Sequence, residues 1–443
     1  MRILILSQYW HPENGVPQRR WSWLTEVLTT AGHDVEVIAP APHYKQSKSL
    51  RSWISDTFRG GSRLEQGVHG EAISRVKYLP FGVSITGRAL NQGFVGVATL
   101  LMAVGKYRFR SNRRPDVIIG TVPALPTSWI TLLVSRAIGV PYIIDIRDVW
   151  PELLTENRRW KRAVGSRSLR EKILSKGPLQ VVIWLVERLI TLSLKKAEAI
   201  ITTSERHAEH LRSVVGIQQP IATIRNVFPV MSRTASVREN AEPESRPLHV
   251  VYAGTIGLAQ NLNNVFDAYK LATRTGTKID LKIIGGGAAF DSLRKRVAEE
   301  NLDIEVIDQL PNNKLSGYYE WADTALVHLT DWSAFDMAVP SKIFELMSNG
   351  IHITAAVEGE AAELIETLQA GDVISPEDPQ ALAQVWHKLQ ADLSKCAVTS
   401  KGREWVEFER NVRTPEVLLE VVEKFSGGSG LPGTALARGA DKR

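Results

Sequence analysis

The sequence has a single cysteine, Cys396, among 443 residues. One thiol excludes a disulfide scaffold and a zinc site built from cysteines, and it is typical of a reducing compartment. No uninterrupted apolar run reaches the roughly 18 residues of a membrane-spanning helix. No apolar segment of signal-peptide length precedes the polar Gln8, so a secretory leader is not expected. A D-x-D motif is also lacking, and nothing in the sequence therefore indicates a divalent metal or a resident cofactor.

Length and charge divide the chain into two unlike halves. A chain of 443 residues is too long for one ordinary core and predicts two domains. Residues 1–250 hold 35 Lys and Arg against 20 Asp and Glu (net +15), and residues 251–443 hold 19 against 28 (net −9). The basic half is expected to face an anionic partner. The alternative is that the charge difference arises by chance on a solvated surface. Nucleic acid is not expected as that partner, because no nucleic-acid-binding module is present.

Hydrophobic patterning predicts strands that alternate with helices in both halves. The first strand spans 2–7, and a helix follows from Pro17 to Thr30, with a stop at Gly32. Further strands are predicted at 33–40, 116–121, 140–148, 197–204, 221–227, 248–255, 279–287, 303–310, 323–329 and 352–357. This alternation predicts an α/β protein of two tandem Rossmann-like domains that face a cleft. The domains are placed at 1–227 and 248–425, with a polar linker at 228–247 and a disordered tail at 426–443.

The acidic half carries loops suited to a nucleotide. Two glycine-containing loops follow strands, and their Gly254, Thr255, Gly257, Gly285 and Gly286 would let backbone amides approach a ligand, although simple tight turns are the alternative. Pro340 and Ser341 begin a helix with Lys342 in its first turn, which suits a diphosphate. Glu345 lies one turn on and can accept hydrogen bonds from ribose hydroxyls, while Glu360 opens a second helix that could reach a sugar. An ordinary helix with a solvated Lys and Glu is the other interpretation.

These motifs together resemble the retaining glycosyltransferases of the GT-B fold, family 4, in the bacterial O-antigen, capsule and exopolysaccharide subgroup, of which fucosamine transferase-like enzymes are examples. The resemblance covers roughly residues 1–425. It rests on QYWHPENGVPQRRW, AGHDVEVI, IDIRDVWPELL, AEAIITTSE, YAGTIG, IIGGG and PSKIFELMSNG followed by GEAAELI.

The resemblance implies a nucleotide-sugar donor, a UDP- or GDP-sugar, in the C-terminal domain and an acceptor in the N-terminal domain. It implies that the diphosphate lies at Ser341–Lys342, that Glu345 holds the ribose, and that the base lies near Gln309–Leu310. Asp148 and Glu13 are the candidates for catalysis. The cleft-lining residues expected on the acceptor side are His11, Asn14, Gly15, Arg19 and Arg147. For Asp148 the structural alternative is capping the next turn or pairing with Arg147.

The chain departs from the family pattern at two places. The family's E-x7-E motif has a glutamate eight residues before Glu345, but Met337 stands there, with Asp336 as a possible substitute. Many relatives also carry an arginine and a lysine in the loop that corresponds to YAGTIG, and this loop has neither. Lys342 would then carry more of the phosphate charge.

Two stretches of the basic half suit an anionic membrane surface. Residues 93–114 and 155–196 each place an apolar segment beside Lys and Arg clusters, although core helices with basic ends would give the same pattern. The expected location is therefore cytoplasmic and peripheral at the inner membrane face, with a lipid-linked sugar acceptor as the resemblance implies. The rival functions are a UDP-sugar 2-epimerase of the same fold and an inactive scaffold that binds lipid-linked glycans.

Overall fold

The structure is a computed structural model that describes residues 1–13, 15–42, 64–79, 85–109, 114–150, 152–155, 178–229 and 246–425. It contains two sheets, one in each half of the chain. The strands of the first are β1 (Arg2–Leu6), β2 (Asp34–Pro40), β3 (Leu64–Gln66), β4 (Ala72–Val76), β5 (Val117–Val122), β6 (Tyr142–Ile146), β7 (Ala199–Thr202) and β8 (Ile221–Thr223). The strands of the second are β9 (Leu248–Thr255), β10 (Ile279–Gly286), β11 (Ile304–Ile307), β12 (Thr324–His328), β13 (His352–Ala356) and β14 (Gly371–Ile374).

The N-terminal sheet has the order β3-β4-β2-β1-β5-β6-β7-β8, and β3 is its antiparallel edge strand. The central strands read as continuous apolar runs because helices cover both faces of a parallel sheet. Ile3, Leu4, Ile5 and Leu6 of β1 are accordingly all fully buried.

The C-terminal sheet is parallel in the order β11-β10-β9-β12-β13-β14. This order is that of a dinucleotide-binding fold, in which the strand order reverses between β9 and β12. Ligands bind such sheets at the carboxyl ends of the strands beside that reversal. The loops after β9, β10, β12 and β13 are therefore the ones that face a ligand.

Helices cover both sheets. In chain order they are α1 (Val16–Thr30), α2 (Ile85–Tyr107), α3 (Pro126–Ile138), α4 (Glu152–Thr155), α5 (Pro178–Lys196), α6 (Glu205–Ser213), α7 (Asn263–Arg274), α8 (Phe290–Glu299), α9 (Asn312–Trp321), α10 (Ser341–Ser348), α11 (Gly359–Thr367), α12 (Pro379–Ala391), α13 (Lys401–Phe408) and α14 (Thr414–Glu423). The last helix, α14, packs back on α1 and β8 of the N-terminal domain. One apolar core consequently runs through both domains, from Leu24 of α1 to Leu418 of α14.

The predicted strands and the first helix all form, with ends that shift by a few residues. The patterning did not predict β3, β4 or β14. Most of the predicted linker (230–245), the predicted tail (426–443) and most of the basic segment before α5 (156–177) lie outside the described residues. No helix in the described ranges is both long enough and apolar enough to cross a bilayer.

Candidate active site between the two domains

The carboxyl ends of the two sheets meet across a cleft. The hydroxyl of Ser204, just after β7, donates a hydrogen bond to the carbonyl oxygen of Met337 in the C-terminal half. The backbone N–H of Arg206 donates to Oε2 of Glu360 at 2.8 Å. The loops after the N-terminal strands are thus fixed opposite those after β12 and β13.

The predicted donor helix α10 begins at Ser341, directly after Pro340. No side chain caps its first turn, and the Ile343 N–H donates to Pro340 O at 3.0 Å. The amides of Ser341 and Lys342 are therefore the ones left for an anion, which the helix dipole also attracts. Lys342 donates from Nζ to Oε2 of Glu345 at 3.0 Å. The structure therefore places Ser341, Lys342 and Glu345 together, as the spacing predicts.

Tyr319 of α9 completes this group, and sequence reasoning missed it. Its hydroxyl accepts a hydrogen bond from Lys342 Nζ at 2.9 Å and donates one to Oε1 of Glu345 at 3.2 Å. Burial, and then the carboxylate of Glu345, raise the pKa of this hydroxyl well above its usual value. Tyr319 therefore stays protonated and orients both charged partners. It lies 26 residues from Glu345 in an aromatic stretch that gives no ligand signal.

The two glycine loops are joined to each other by backbone hydrogen bonds. Ile256 N–H donates to Gly286 O at 3.0 Å, and Ala289 N–H donates to Ile256 O at 3.0 Å. A Cβ on Gly285 would overlap the carbonyl oxygen of Gly254, so glycine is required at 285. Tyr252 fixes the same loop by donating to Thr255 O at 2.6 Å.

The loop ends border the predicted base site. Gly257 precedes a short 3-10 turn, and Gly286 lies beside Gln309. Leu310 follows Gln309 and is half-buried against the apolar core. These positions put backbone groups at the cleft edge of the sheet, where a nucleotide base would be read.

The position of the missing family glutamate lies in a 3-10 turn, Ser333–Met337. Met337 presents its carbonyl to Ser204, while Asp336 is half-buried near Glu358. Burial, and then repulsion from Glu358, raise the pKa of Asp336. The substitution of Asp336 for the missing glutamate stays a prediction.

Glu360 lies in a contact between the domains and not with Lys342 and Glu345. Its carboxylate forms a salt bridge with Arg225, and both side chains are 6% exposed. Its other oxygen accepts the N–H of Arg206. A sugar hydroxyl would have to compete with these partners, and the predicted sugar contact of Glu360 stays a prediction.

On the acceptor side a buried ion pair fixes the geometry, and it too was missed from the sequence. Arg20 Nη2 lies 2.9 Å from Oδ1 of Asp145, with both side chains fully buried. Trp21 Nε1 donates to the other oxygen of Asp145 at 2.8 Å. A buried charge pair needs its remaining polar groups satisfied, and Arg20 Nη1 accordingly donates to the carbonyl of Ile224 at 2.9 Å. These bonds tie α1 to the ends of β6 and β8.

Arg147 and Asp148 follow β6 at the floor of the cleft. The Asp148 side chain reaches the protein surface, but the protein atoms around it displace much of the water near its carboxylate. That enclosure raises its pKa, which Arg147 opposes and Asp145 reinforces. Nε and Nη1 of Arg147 are buried and have no hydrogen-bond partner among the described residues. Donors of this kind, next to a solvent-facing carboxylate, are suited to binding a polar ligand.

The loop before α1 holds the remaining predicted residues. Gln18 donates to Oε2 of Glu13 at 3.3 Å, and the carbonyl of His11 accepts from Arg75 at 2.7 Å. Gly15 directly precedes α1, and a Cβ there would crowd Gln18. Asn14 lies outside the described residues.

Arg19, predicted to line the cleft on the acceptor side, has a half-buried side chain. Its guanidinium lies 4.5 Å from the ring centroid of Phe228. Burial lowers its pKa, and the carboxylate of Glu345 is the main opposing influence. The place of Arg19 on the acceptor side of the cleft stays a prediction.

No group of three or more His, Cys, Asp or Glu side chains within the described ranges is placed to hold a metal ion. The expectation of a metal-free and cofactor-free site stays a prediction.

Comparison with known proteins identifies the family. Residues 15–226 match the glycosyl transferase 4-like domain, and residues 233–403 match the glycosyl transferases of group 1. Since the two matches together cover nearly all of both domains, the chain belongs to the glycosyltransferases of the GT-B fold.

Individual relatives are distant. The chain is similar to the amylovoran biosynthesis glycosyltransferase AmsK of Erwinia amylovora, at 22% identity over 187 residues, which are 41% of this chain and 46% of that protein. The matched region thus spans about half the length of this relative. The fold resembles sucrose-phosphate synthase of Thermosynechococcus elongatus (TM-score 0.64, 15% identity, covering 96% and 98% of the two chains). It also resembles Anabaena HepE solved with UDP-glucose (TM-score 0.60, 14% identity, covering 96% and 100%).

These comparisons confirm the predicted GT-B fold of two Rossmann-like domains and the predicted class, glycosyltransferase. The retaining, fucosamine transferase-like subgroup stays a prediction.

Proposed function

We propose that this protein transfers a sugar from a nucleotide-diphosphate donor, a UDP- or GDP-sugar, to a glycan acceptor held by the N-terminal domain. The observation that carries the proposal is the group formed by Lys342, Glu345 and Tyr319 at the start of α10. It combines an ammonium, a carboxylate and uncapped helix amides at the sheet edge where nucleotides bind.

Each part of the group has a task in donor binding. The α10 amides and Lys342 would bind the diphosphate, and Glu345 would accept hydrogen bonds from the ribose hydroxyls. As the bond to the sugar breaks, negative charge develops on the leaving diphosphate. Lys342 and the helix N-terminus stabilise that charge where it forms, without a metal ion.

Asp148 is the proposed catalytic carboxylate on the acceptor side, with Glu13 near the Gly15 loop as the second candidate. Asp148 is exposed to the cleft, next to the unpartnered donors of Arg147. It is thereby placed to accept a hydrogen bond from an acceptor hydroxyl or from the donor sugar. Retention of configuration is proposed from the family resemblance alone.

The proposed pathway is the synthesis of a cell-envelope polysaccharide on a lipid-linked acceptor. The amylovoran enzyme is similar to this chain over part of its length, which supports an exopolysaccharide role. The structure adds a surface suited to a lipid-linked acceptor. Helices α2, α3 and α5 lie side by side and share one outer surface, which we call the basic helical face.

The basic helical face is both apolar and cationic. It holds ten of the 17 exposed large apolar side chains among the described residues: Leu90, Phe94, Val97, Leu101, Leu133, Val181, Val182, Trp184, Leu185 and Leu192. On α2 the spacing of 90, 94, 97 and 101 forms a single stripe. The three helices contain six Lys or Arg and one acidic residue, Glu187. Exposed apolar patches beside cations suit an anionic bilayer, so we propose peripheral binding at the inner membrane face.

Calorimetric titration with UDP and then with GDP, without added metal, tests the donor proposal. Binding of one nucleotide and not the other would identify the donor class, and it would support the Lys342–Glu345 site. If neither UDP nor GDP bound, the proposed donor would be contradicted.

A further inference from the structure

The donor side of the cleft holds few cations for a ligand with several negative charges. The glycine loops, residues 252–257 and 283–290, contain no Lys or Arg. The N-terminus of α10 contributes about half a positive charge. Lys342 contributes one ammonium, which lies 3.0 Å from the carboxylate of Glu345 and is partly neutralised by it. A diphosphate bound only by these groups would keep much of its charge uncompensated.

Arg19 of the N-terminal domain is linked to that helix through a short series of contacts. Its guanidinium stacks over Phe228, 4.5 Å from the ring centroid. The neighbouring carbonyl of Val227 accepts a hydrogen bond from Arg410 Nε at 2.6 Å, and Arg410 Nη2 donates to Ser348 Oγ at 3.1 Å. Ser348 is on α10, three residues after Glu345, so both side chains lie on one face of that helix. The segment on which Arg19 stacks is therefore held at the C-terminal end of α10, one helical turn from Glu345.

The charges around Arg19 fit this placement. The carboxylate of Glu345 is the charged group that most favours its cation, which burial disfavours. Arg19 forms no salt bridge within the part of the chain that is described, and Glu345 already accepts hydrogen bonds from Lys342 and Tyr319. A half-buried guanidinium with only a shared carboxylate nearby can gain much from an incoming anion.

The backbone that carries Arg19 is rigidly held. The next residue, Arg20, forms the buried ion pair with Asp145 and donates to carbonyls after β8. The Arg19 N–H itself donates to Gly15 O at 3.0 Å, at the start of α1. The backbone of Arg19 is therefore held in place beside the cleft. For the guanidinium to contact a ligand, only the side-chain torsions of Arg19 need to change.

We propose that Arg19 is the second cation of the donor phosphate site, supplied across the cleft by the N-terminal domain. It replaces in function the cations that the glycine loops lack, and the diphosphate would bridge Arg19 and the N-terminus of α10. This inference rests on the proposed nucleotide-diphosphate donor. It assigns Arg19 to donor binding rather than to the acceptor.

The test compares Arg19→Ala and Arg19→Lys with the wild type in titrations with UDP, GDP and the matching nucleosides. Arg274→Ala, a change of the same type at an exposed position on α7, is the control. We expect Arg19→Ala to weaken binding of the preferred nucleoside diphosphate by about tenfold or more, and nucleoside binding by less than about twofold. Arg19→Lys should retain part of the diphosphate affinity, and Arg274→Ala should bind like the wild type.

Three results would contradict the inference in different ways. Equal diphosphate affinity in Arg19→Ala and wild type would remove Arg19 from the donor site while leaving the proposed function intact. An equal loss for nucleoside and diphosphate would assign Arg19 to packing against Phe228. A wild-type protein that binds neither diphosphate would overturn the proposed donor, and the role of Arg19 with it. Thermal unfolding of each variant shows whether it remains folded.

Discussion

At the scale of single residues, Lys342 and Glu345 hold each other in place before any ligand arrives, with Tyr319 bonded to both. We expect Lys342→Ala and Glu345→Ala each to weaken nucleoside-diphosphate binding by about 10- to 100-fold. The reason is that hydrogen bonds to charged groups are worth about 1.5–3 kcal/mol. Isothermal titration with UDP or GDP measures the change.

Lys401→Ala and Glu416→Ala are suitable controls, because both residues are exposed on other helices of the same chain. Unchanged affinity in both Lys342→Ala and Glu345→Ala would remove the donor site from α10.

Asp148 should matter for turnover and not for nucleotide binding. Enclosure in the cleft raises its pKa, so its carboxylate gains a proton at a higher pH than an exposed aspartate does. If the carboxylate is the active form, transfer falls as the pH drops through that raised pKa. Asp148→Asn should bind the nucleotide normally, lower the rate of transfer by at least about 100-fold, and lose this acidic limb. Wild-type turnover in Asp148→Asn would leave only a structural role.

The same shift has a consequence for stability. A carboxyl whose pKa is higher in the folded than in the unfolded state is destabilising when ionised. For Asp148 this destabilisation is absent at pH values below its pKa in the unfolded state. It is complete at pH values above its pKa in the folded state. Asp148→Asn should therefore be more stable than the wild type at neutral pH, and the difference should vanish in acid. Urea unfolding at two pH values measures it, and a less stable variant at neutral pH would contradict the prediction.

The sequence identified part of this site and could not identify the rest. Lys342 and Glu345 are predictable because a helix brings residues three apart together. The roles of Tyr319 and of the Arg20–Asp145 pair could not be predicted, because they depend on contacts between distant segments. Arg20 and Asp145, for example, are 125 residues apart in the sequence. An arginine in an amphipathic helix normally indicates a solvated face, and only the fold shows that Arg20 is fully buried.

At the scale of elements, the start of α11 is packed against the turn that carries Asp336. Gly359 has φ +67°, and a Cβ there would overlap the backbone carbonyl of Asp336. Gly359→Ala should cost more than the strain of the left-handed conformation alone, about 2–4 kcal/mol in total. Gly276→Ala is the matched control, because Gly276 has φ +88° but open space around it. If Gly359→Ala and Gly276→Ala lowered the free energy of unfolding in denaturant by equal amounts, the predicted overlap with the Asp336 carbonyl would be contradicted.

Element prediction succeeded where strands are long and buried. Strand β1 is a run of apolar residues, and β9 and β10 each extend over 8 residues. Two of the three missed strands lack these features. Strand β3 has 3 residues that are all exposed, and β14 has 4 residues of mixed character between two helices. Such strands form because a neighbouring strand offers hydrogen bonds, which their own patterns do not reveal.

At the scale of the whole molecule, the buried pair of Arg225 and Glu360 joins the two domains beside the cleft. Glu360→Gln leaves the Arg225 charge without its counter-charge, and breaking such a pair costs about 3–5 kcal/mol. We expect a lower unfolding temperature and a larger radius of gyration in X-ray scattering, since the contact between α6 and α11 would loosen. Glu363→Gln is the control, because Glu363 pairs with Arg206 at the exposed edge of the same contact. Equal effects of the two variants would argue against a special role for Glu360.

Membrane binding is the property that the charge asymmetry and the basic helical face predict together. The face contains apolar side chains that can enter a bilayer and cations that attract anionic headgroups, each worth about 1 kcal/mol near the surface. We expect the protein to sediment with vesicles of anionic lipid, less with neutral vesicles, and less as salt rises. Replacing exposed Trp184 and Leu185 by Ser should weaken binding at every salt concentration, because apolar insertion is lost while the charge is unchanged. Val214→Ser, at a 70% exposed position outside α2, α3 and α5, is the control. Binding that ignores lipid charge, or that survives the double Ser variant, would mean that these helices serve only the core of the N-terminal domain.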